Sequence, residues 1–278
     1  MAVVTQRSLV AQSAAPLVED KEVRANRRRA RRIAALGALV PAFVVGVVLE
    51  LAISPVVGGI GLVALFLLGV LLLPRLATPV ALRLVHARPL GNDELPRLEN
   101  LVDGLCPTFG VRRPVLMAVD DDLPNACSLG SRPDRGVLVV TTGLERSLDL
   151  TEMEGVIGHE LAHFKRCDML VSSIAVTVLA PIIWMTGSDR LLHRMLGHGR
   201  ELRADQVAVT AVRYPPGLCD ALRRFEAGPE PGARSLFGTR NLSRSRWIWI
   251  DPAVGRRGAG APGDLDLTSV RIDALAEL

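Results

Sequence analysis

The chain has 278 residues, a formal net charge of +4 and a mean hydropathy of +0.30. This length accommodates one globular domain together with a membrane element. The densest positive block, residues 21–32, directly precedes an apolar run and lacks the interleaved aromatic residues of a nucleic-acid-binding segment. This placement favours a membrane over nucleic acid as the partner of the basic block.

Two uncharged runs, residues 33–49 and 51–74, are separated by Glu50. A membrane-spanning helix needs about 20 apolar residues, so each run is long enough to cross a bilayer. A signal peptide fits poorly, because its apolar core is only about 7–15 residues long. We therefore predict a transmembrane helical hairpin over residues 33–75, with its hinge at Ser54, Pro55, Gly58 and Gly59.

Arginines flank the hairpin on both sides, whereas the hinge has none. The positive-inside rule places both flanks in the cytoplasm. We predict a multi-pass protein of the cell membrane with a basic cytoplasmic tail (residues 1–32) and a cytoplasmic domain (residues 76–278). The flanking arginines are Arg24, Arg27, Arg28, Arg29, Arg31 and Arg32 before the hairpin and Arg75, Arg83 and Arg88 after it.

The domain is predicted to contain strands at residues 115–119 and 137–141, separated by a turn-rich segment, and a helix over 92–106 capped by Asn92 and Asp93. Thr151 and Glu154 have the spacing of a capping box, which predicts a helix running through His163. Further helices are predicted over residues 200–212 and 216–225. Residues 226–266 are rich in glycine, proline and arginine and are predicted to be loops.

The motif His-Glu-x-x-His at residues 159–163 lies within this predicted helix. Residues four apart share a helix face, so His159 and His163 can ligate one tetrahedral ion. Glu160 is then the candidate catalytic residue, because a carboxylate beside a metal can take a proton from the attacking water. The pattern predicts a metalloprotease with one Zn²⁺ per chain, and the ligand types alone do not distinguish zinc from another divalent ion.

A third ligand must come from elsewhere in the chain. A metzincin would have a histidine six residues after His163, where this sequence has Met169. Glu201 and Asp205 lie four residues apart on a predicted helix, so Glu201 could complete the metal site while Asp205 accepts a hydrogen bond from a ligand histidine. On spacing alone, an exposed acidic pair fits equally well.

Several motifs agree in order with one family. Residues 123–130 (LPNACSLG), 139–144 (VVTTGL), 154–163 (EGVIGHELAH), 168–170 (DML), 201–205 (ELRAD) and 216–222 (PGLCDAL) resemble the HtpX-like membrane zinc endopeptidases. The resemblance implies an α+β fold, mainly helical and gluzincin-like, with a small β-sheet. It also implies that Glu201 is the third metal ligand and that protein or peptide substrates are cleaved in the quality control of misfolded membrane proteins.

The sequence departs from the family in two places. Only residues 169–185 are apolar between the His-Glu-x-x-His motif and Glu201, where the family has two membrane spans. A single crossing would separate Glu201 from His163, so we expect this segment to be buried, surface-lying or re-entrant. Residues 267–270 replace the family's His-Pro element before Arg271, and the sequence leaves the role of Arg271 open.

Asn125 and Val139 are candidate substrate-binding residues, because the strand over residues 137–141 is expected to be a sheet edge that pairs with an extended peptide. Two other functions remain open. One is a regulatory membrane metalloprotease with a single dedicated substrate, and the other is a catalytically inactive, membrane-anchored relative that binds partners. The sequence does not predict the oligomeric state.

Overall fold

A computed structural model describes residues 20–132, 134–186, 195–196, 199–227, 234–235, 245–252 and 268–278. The chain begins with two long antiparallel helices, α1 (Asp20–Ala52) and α2 (Pro55–Leu84). The turn between them is shorter than predicted. Ser54 ends it, because its side chain accepts a hydrogen bond from the Val57 N–H and caps α2.

Small residues hold the two helices of the hairpin together. A Cβ atom at Gly58 would lie 2.6 Å from the Glu50 Cβ, and one at Gly69 would lie 2.7 Å from the Ala38 Cβ. Gly58 therefore belongs to the helix interface, and the prediction that Gly58 and Gly59 lie in the hinge is wrong. Such close backbone approach is typical of helix pairs in membranes, where small residues form the contact.

The outer face of the hairpin is apolar. Both helices are long and apolar enough to cross a membrane by length and composition. The predicted hairpin over residues 33–75 lies within them, and α1 also includes the basic residues of the predicted tail from Asp20 onward; residues 1–19 lie outside the described part of the chain. Large apolar side chains on this face are exposed, among them Leu36, Val40, Phe43, Val44, Leu51, Val56, Ile60 and Leu67.

A four-stranded mixed sheet follows, in the order β1-β2-β4-β3. The strands are β1 (Arg88–Pro89), β2 (Val115–Val119), β3 (Ala126–Gly130) and β4 (Gly136–Thr141). β2 and β4 are parallel, and the other two pairs are antiparallel. The predicted strands correspond to β2 and β4, whereas β3 lies in the segment predicted to be turns.

The sheet order corrects one prediction. Val139 pairs with Met117 of β2 on one side and with Cys127 of β3 on the other. The strand over residues 137–141 is therefore internal, and the prediction that it forms a sheet edge is wrong. The edge strand next to β4 is β3, whose sequence of small residues gives little β-propensity and whose side chains are all buried.

Seven helices complete the described part of the domain. They are α3 (Pro96–Phe109), α4 (Leu144–Ser147), α5 (Leu150–Arg166), α6 (Met169–Thr186), α7 (Arg200–Val212), α8 (Pro215–Ala227) and α9 (Thr268–Ala276). Together with the small sheet they give the mainly helical α+β fold that the sequence predicts.

The capping box of α5 pairs Asp149 with Glu152, two residues before the predicted pair. The first residue of α3 is Pro96, preceded by Leu95 without a side-chain cap, so the predicted caps at Asn92 and Asp93 are wrong.

The apolar segment after α5 forms α6, which packs against the hairpin. The Thr177 hydroxyl donates a hydrogen bond to the Ala77 carbonyl, at 3.1 Å, and the Val178 side chain fills the space that a side chain at Gly37 would need. Most side chains from Met169 to Leu179 are buried. The first half of α6 is therefore enclosed by the protein, in agreement with one of the three expected placements.

The predicted loop region contains more order than its composition indicates. Helix α8 continues to Ala227, two residues beyond its predicted end. A short 3-10 turn, Arg246–Ile248, introduces a segment of buried residues that ends near Pro252. The remaining residues of the range 226–266 lie outside the described part of the chain, apart from residues 234 and 235.

Candidate metal and active site

The centre of the site lies on one face of α5. His159 and His163 are one helical turn apart and fully buried, and their Nε2 atoms are 3.1 Å apart. The two rings are nearly perpendicular, with an interplanar angle of 86°. Both imidazoles therefore present the same nitrogen to one point beside the helix.

Glu201 approaches this point from α7. Its Oε2 atom lies 3.0 Å from His159 Nε2 and 3.6 Å from His163 Nε2. A tetrahedral zinc ion with ligand distances of about 2.0–2.1 Å separates its ligand atoms by roughly 3.3–3.4 Å. The observed triangle of two nitrogens and one oxygen has edges around this value, so the three side chains fit a zinc ion.

Each histidine is oriented by a carboxylate on its other nitrogen. The Asp205 Oδ1 atom lies 2.7 Å from His159 Nδ1, and the Asp168 Oδ1 atom lies 2.7 Å from His163 Nδ1. A carboxylate accepts a hydrogen bond here, which leaves the proton on Nδ1 and the Nε2 lone pair free for a metal. The geometry brings Asp205 to the place that the spacing predicts.

The spacing of Asp168 does not mark it as a site residue. It reaches His163 because α5 ends in a Schellman motif, in which Cys167 adopts a left-handed conformation with φ of 58°. The Asp168 N–H then donates to the His163 carbonyl, at 3.3 Å. Glycine is the usual residue at such a position, so a cysteine there gave no signal for the turn.

Arg271 of α9 holds the Asp205 carboxylate in place. Its side chain is fully buried and donates two hydrogen bonds to the Asp205 carboxylate, both at 2.8 Å, and one to the Ile250 carbonyl at 2.7 Å. Burial disfavours the charged form of the Arg271 guanidinium. The negative charge of Asp205 outweighs this effect and raises the pKa of Arg271. Arg271 thus fixes Asp205, which in turn fixes His159.

The charged groups of the site are buried, but each lies close to a group of opposite charge. Burial alone would raise the pKa of Glu201, yet Arg200 and His163 hold it well below its usual range. Burial would lower the pKa of His163, but the Asp168 charge overcomes this effect and raises the pKa to about 9. A metal ion binding here competes with a proton for the His163 Nε2 atom.

Glu160 is buried beside the edge strand. Its Oε2 atom lies 2.5 Å from the Ser128 hydroxyl, which also lies within hydrogen-bonding distance of the Glu160 carbonyl. Ser128 therefore links the candidate base on α5 to the middle of β3. No spacing pattern singles out Ser128, because the residues of β3 lie in a segment predicted to be turns.

The segment from Ser245 to Pro252 attaches to the outer edge of β3. The Ile250 N–H donates to the Ala126 carbonyl, at 2.9 Å. The Asn125 side chain donates to the Asp251 carbonyl and accepts from its N–H, at 3.1 and 3.2 Å. Asn125 is fully buried in these contacts, and Val139 is fully buried in the sheet. The structure therefore gives neither side chain access to a substrate.

Part of the chain matches a known protein family. Residues 93–225 match the model of Peptidase family M48, and this range includes His159, Glu160, His163, Glu201 and Asp205. No solved structure matches the chain significantly.

Similar proteins carry the name Protease HtpX homolog. The protein of Salinibacter ruber is 32% identical over 178 residues, which cover 55% of this chain and 64% of the relative. That of Thermodesulfovibrio yellowstonii is 40% identical over 106 residues, or 38% of each chain. That of Tropheryma whipplei (strain Twist) is 30% identical over 204 residues, which cover 61% of this chain and 68% of the relative.

The chain spans less than two thirds of the length of the first two of these relatives. Their names, together with the two long apolar helices, support membrane association. The chain belongs to peptidase family M48 and resembles the HtpX proteases.

Proposed function

We propose that the protein is a membrane-anchored, zinc-dependent endopeptidase. The observation that carries this proposal is the buried triangle of His159, His163 and Glu201, in which each histidine is oriented by its own carboxylate. These three residues would hold one Zn²⁺. When bound, zinc supplies Lewis acidity that polarises a carbonyl and acidifies water.

Glu160 serves as the general base and acid in this proposal. Its carboxylate takes a proton from the water that attacks the scissile carbonyl, and then gives that proton to the leaving amine nitrogen. The hydrogen bond from Ser128 keeps one carboxylate oxygen in place, so the other is available for proton transfer. Net hydrolysis consumes one water and leaves Glu160 unchanged.

The outer edge of β3 at Ser128 is the proposed binding site for the substrate backbone. It lies between the Ala126 carbonyl, which accepts from the Ile250 N–H, and the Gly130 N–H, which donates to the Ser173 hydroxyl. Along an antiparallel strand, only every second residue bonds its backbone to the neighbouring strand. Asn125 is bonded to Thr141 of β4. Ser128, three residues later, therefore directs its backbone groups away from β4. An extended peptide paired there would lie beside Glu160. Pairing through the backbone tolerates many sequences, which suits substrates recognised because they are unfolded.

The proposed cellular task is the removal of misfolded membrane proteins at the cytoplasmic face. The arginines on both sides of the hairpin favour a cytoplasmic catalytic domain. Because Glu201 and His163 meet in one site, the two residues lie on the same side of the membrane. We therefore propose that α6 is re-entrant, enclosed by α1 and α2 rather than crossing the bilayer.

The experiment is proteolysis of an unfolded model protein by the full chain in detergent with added zinc, compared with Glu160→Gln. General acid–base catalysis is worth about 10²–10⁴-fold, so we expect at least a 100-fold loss of cleavage in the variant with zinc content unchanged. The matched control, Glu154→Gln, lies on the same helix and should cleave normally. If both native chain and variant bind zinc and neither cleaves, the general endopeptidase is contradicted, and a dedicated substrate or an inactive relative takes its place.

A further inference from the structure

A cavity of about 1070 Å³ lies where the hairpin meets the sheet. Five arginines from four different segments line it: Arg31 of α1, Arg75 of α2, Arg113 before β2, and Arg132 and Arg135 of the turn between β3 and β4. Asp134 is the single carboxylate in the lining. The cavity is thus strongly positive, which indicates an anionic ligand.

Three of the five guanidinium groups keep their charge available. Arg113 forms a salt bridge with Asp103, and Arg132 forms one with Asp134. Within the ranges that the structure describes, Arg31, Arg75 and Arg135 form no salt bridge with a carboxylate. The Arg75 guanidinium also donates a hydrogen bond to the Leu71 carbonyl, and Arg135 interacts electrostatically with Asp134. Five arginines against one carboxylate still leave the lining with excess positive charge, which favours a phosphate group, since arginine binds phosphate with several hydrogen bonds.

The other wall of the cavity is apolar. Val70, Leu71 and Pro74 of α2 contribute to it, and they end the uncharged run that Arg75 follows. Arg31 similarly lies just before the first apolar run, which starts at Ile33. Both arginines therefore mark the level at which lipid headgroups meet the hydrocarbon, and the cavity combines an apolar wall with a cationic one at this level.

We propose that this cavity binds the headgroup of an anionic phospholipid, with the phosphate among Arg31, Arg75 and Arg135 and an acyl chain along Val70 and Leu71. The inference rests on the proposed placement of the hairpin in a bilayer. It concerns neither Glu160 nor the metal ligands. A lipid bound there would contact the hairpin and the β3–β4 turn together and so fix the catalytic domain against the membrane surface.

The test uses the full chain in an uncharged detergent, with bound lipid counted by native mass spectrometry after addition of dioleoylphosphatidylglycerol or dioleoylphosphatidylcholine. We expect one phosphatidylglycerol to be retained per native chain and the zwitterionic lipid to be lost. Each basic residue near anionic lipid strengthens binding about fivefold, so the triple variant Arg31→Gln, Arg75→Gln, Arg135→Gln should bind phosphatidylglycerol roughly 100-fold more weakly.

The matched control is Arg28→Gln, Arg112→Gln, Arg223→Gln, which removes the same charge from exposed arginines outside the cavity. Its affinity for phosphatidylglycerol should stay within about threefold of the native value, since these side chains do not line the site. Equal loss in both triple variants, or equal retention of the two lipids, would overturn the proposal. The single variant Arg135→Glu, which alters one exposed side chain, gives an independent check and should weaken binding at least tenfold.

Inorganic phosphate distinguishes a lipid from a free anion. Millimolar phosphate should leave the retained phosphatidylglycerol in place, because the anion lacks the acyl chain. Complete displacement would assign the cavity to soluble phosphate compounds and contradict the lipid assignment. Zinc content and proteolysis, measured on the same samples, are separate readouts: loss of proteolysis with retained lipid would contradict the proposed enzyme and leave the lipid site standing.

Discussion

The hairpin and the metal site have opposite polarity. In the hairpin, the large apolar side chains are outside, with Leu51 83% exposed, while small residues such as Ala42 are buried. In the metal site, charged side chains are inside, with Arg271 and Glu160 at most 1% exposed. The difference shows that two separate requirements shape this chain: contact with an apolar surrounding in one half, and mutual pairing of buried charges in the other.

The largest expected effect comes from removing a metal ligand. Glu201→Gln leaves two imidazoles and a neutral amide, a poorer ligand for a cation. Loss of residues that only orient ligands costs about 10–100-fold in metal affinity, so we expect more than a 100-fold loss here, together with loss of proteolysis. Competition with a zinc-chelating dye measures the affinity. Unchanged affinity in Glu201→Gln would remove Glu201 from the metal site.

Arg271→Ala tests whether buried pairing holds the metal half together. The variant leaves the Asp205 carboxylate buried without its partner, and breaking such a pair costs about 3–5 kcal/mol of stability. The matched control is Arg223→Ala, whose exposed guanidinium forms a 2.8 Å salt bridge with the exposed Asp220 carboxylate. An exposed pair contributes only about 0–1 kcal/mol. Chemical denaturation of the two variants measures the difference.

A double variant sharpens this prediction. Asp205→Asn, combined with Arg271→Ala, also removes the buried negative charge that Arg271 neutralises. The double variant should therefore be destabilised by less than the sum of the two single variants. Additive effects would show that Arg271 stabilises the fold without acting through Asp205.

Adjacent glycines test the packing of the hairpin. A side chain at Gly58 would collide with Glu50, whereas nothing lies within 4 Å of a Cβ atom at Gly59. Overpacking costs about 1–3 kcal/mol, so Gly58→Val should lower the thermal midpoint in detergent more than Gly59→Val does. Zinc affinity should be unaffected in both. Equal midpoints for the two variants would contradict the observed helix contact.

Ser128→Ala is expected to have the smallest effect. Loss of a hydrogen bond to a charged group costs about 1.5–3 kcal/mol in general, and we expect roughly a tenfold lower kcat because Glu160 is less well positioned. KM and zinc content should change little. Ser147→Ala, outside the site, is the control. A fall in zinc content rather than in kcat would show that Ser128 supports the metal site instead of Glu160.

The two halves were also unequally predictable from the sequence. Spacing alone placed His159 and His163 on one helix face, and the resemblance to the HtpX-like family selected Glu201 where spacing left an alternative open. The apolar runs predicted both hairpin helices, because length and lack of charge are sufficient signals. In each case the signal lies within one local stretch of sequence.

The remainder depends on contacts between distant segments. Arg271 is 66 residues from Asp205 along the chain, and no local pattern links the two. The edge strand β3 is stabilised by pairing with β4 and by burial, which override its weak propensity. Asp168 depends on a left-handed turn at a residue other than glycine. The pairing of buried charges thus depends on tertiary structure. Only the two metal-ligand candidates His159 and His163 are brought together by a single helix.

The most direct test of the metal site is the zinc X-ray absorption spectrum of the purified full chain. The arrangement of His159, His163 and Glu201 predicts one zinc per chain with two imidazoles and oxygen ligands at about 2.0–2.1 Å. The four cysteines provide the opposing possibility, since thiolate sulfur would scatter at about 2.3 Å. A spectrum with two imidazoles and no sulfur would support the site, whereas a sulfur shell or the absence of imidazole would contradict it.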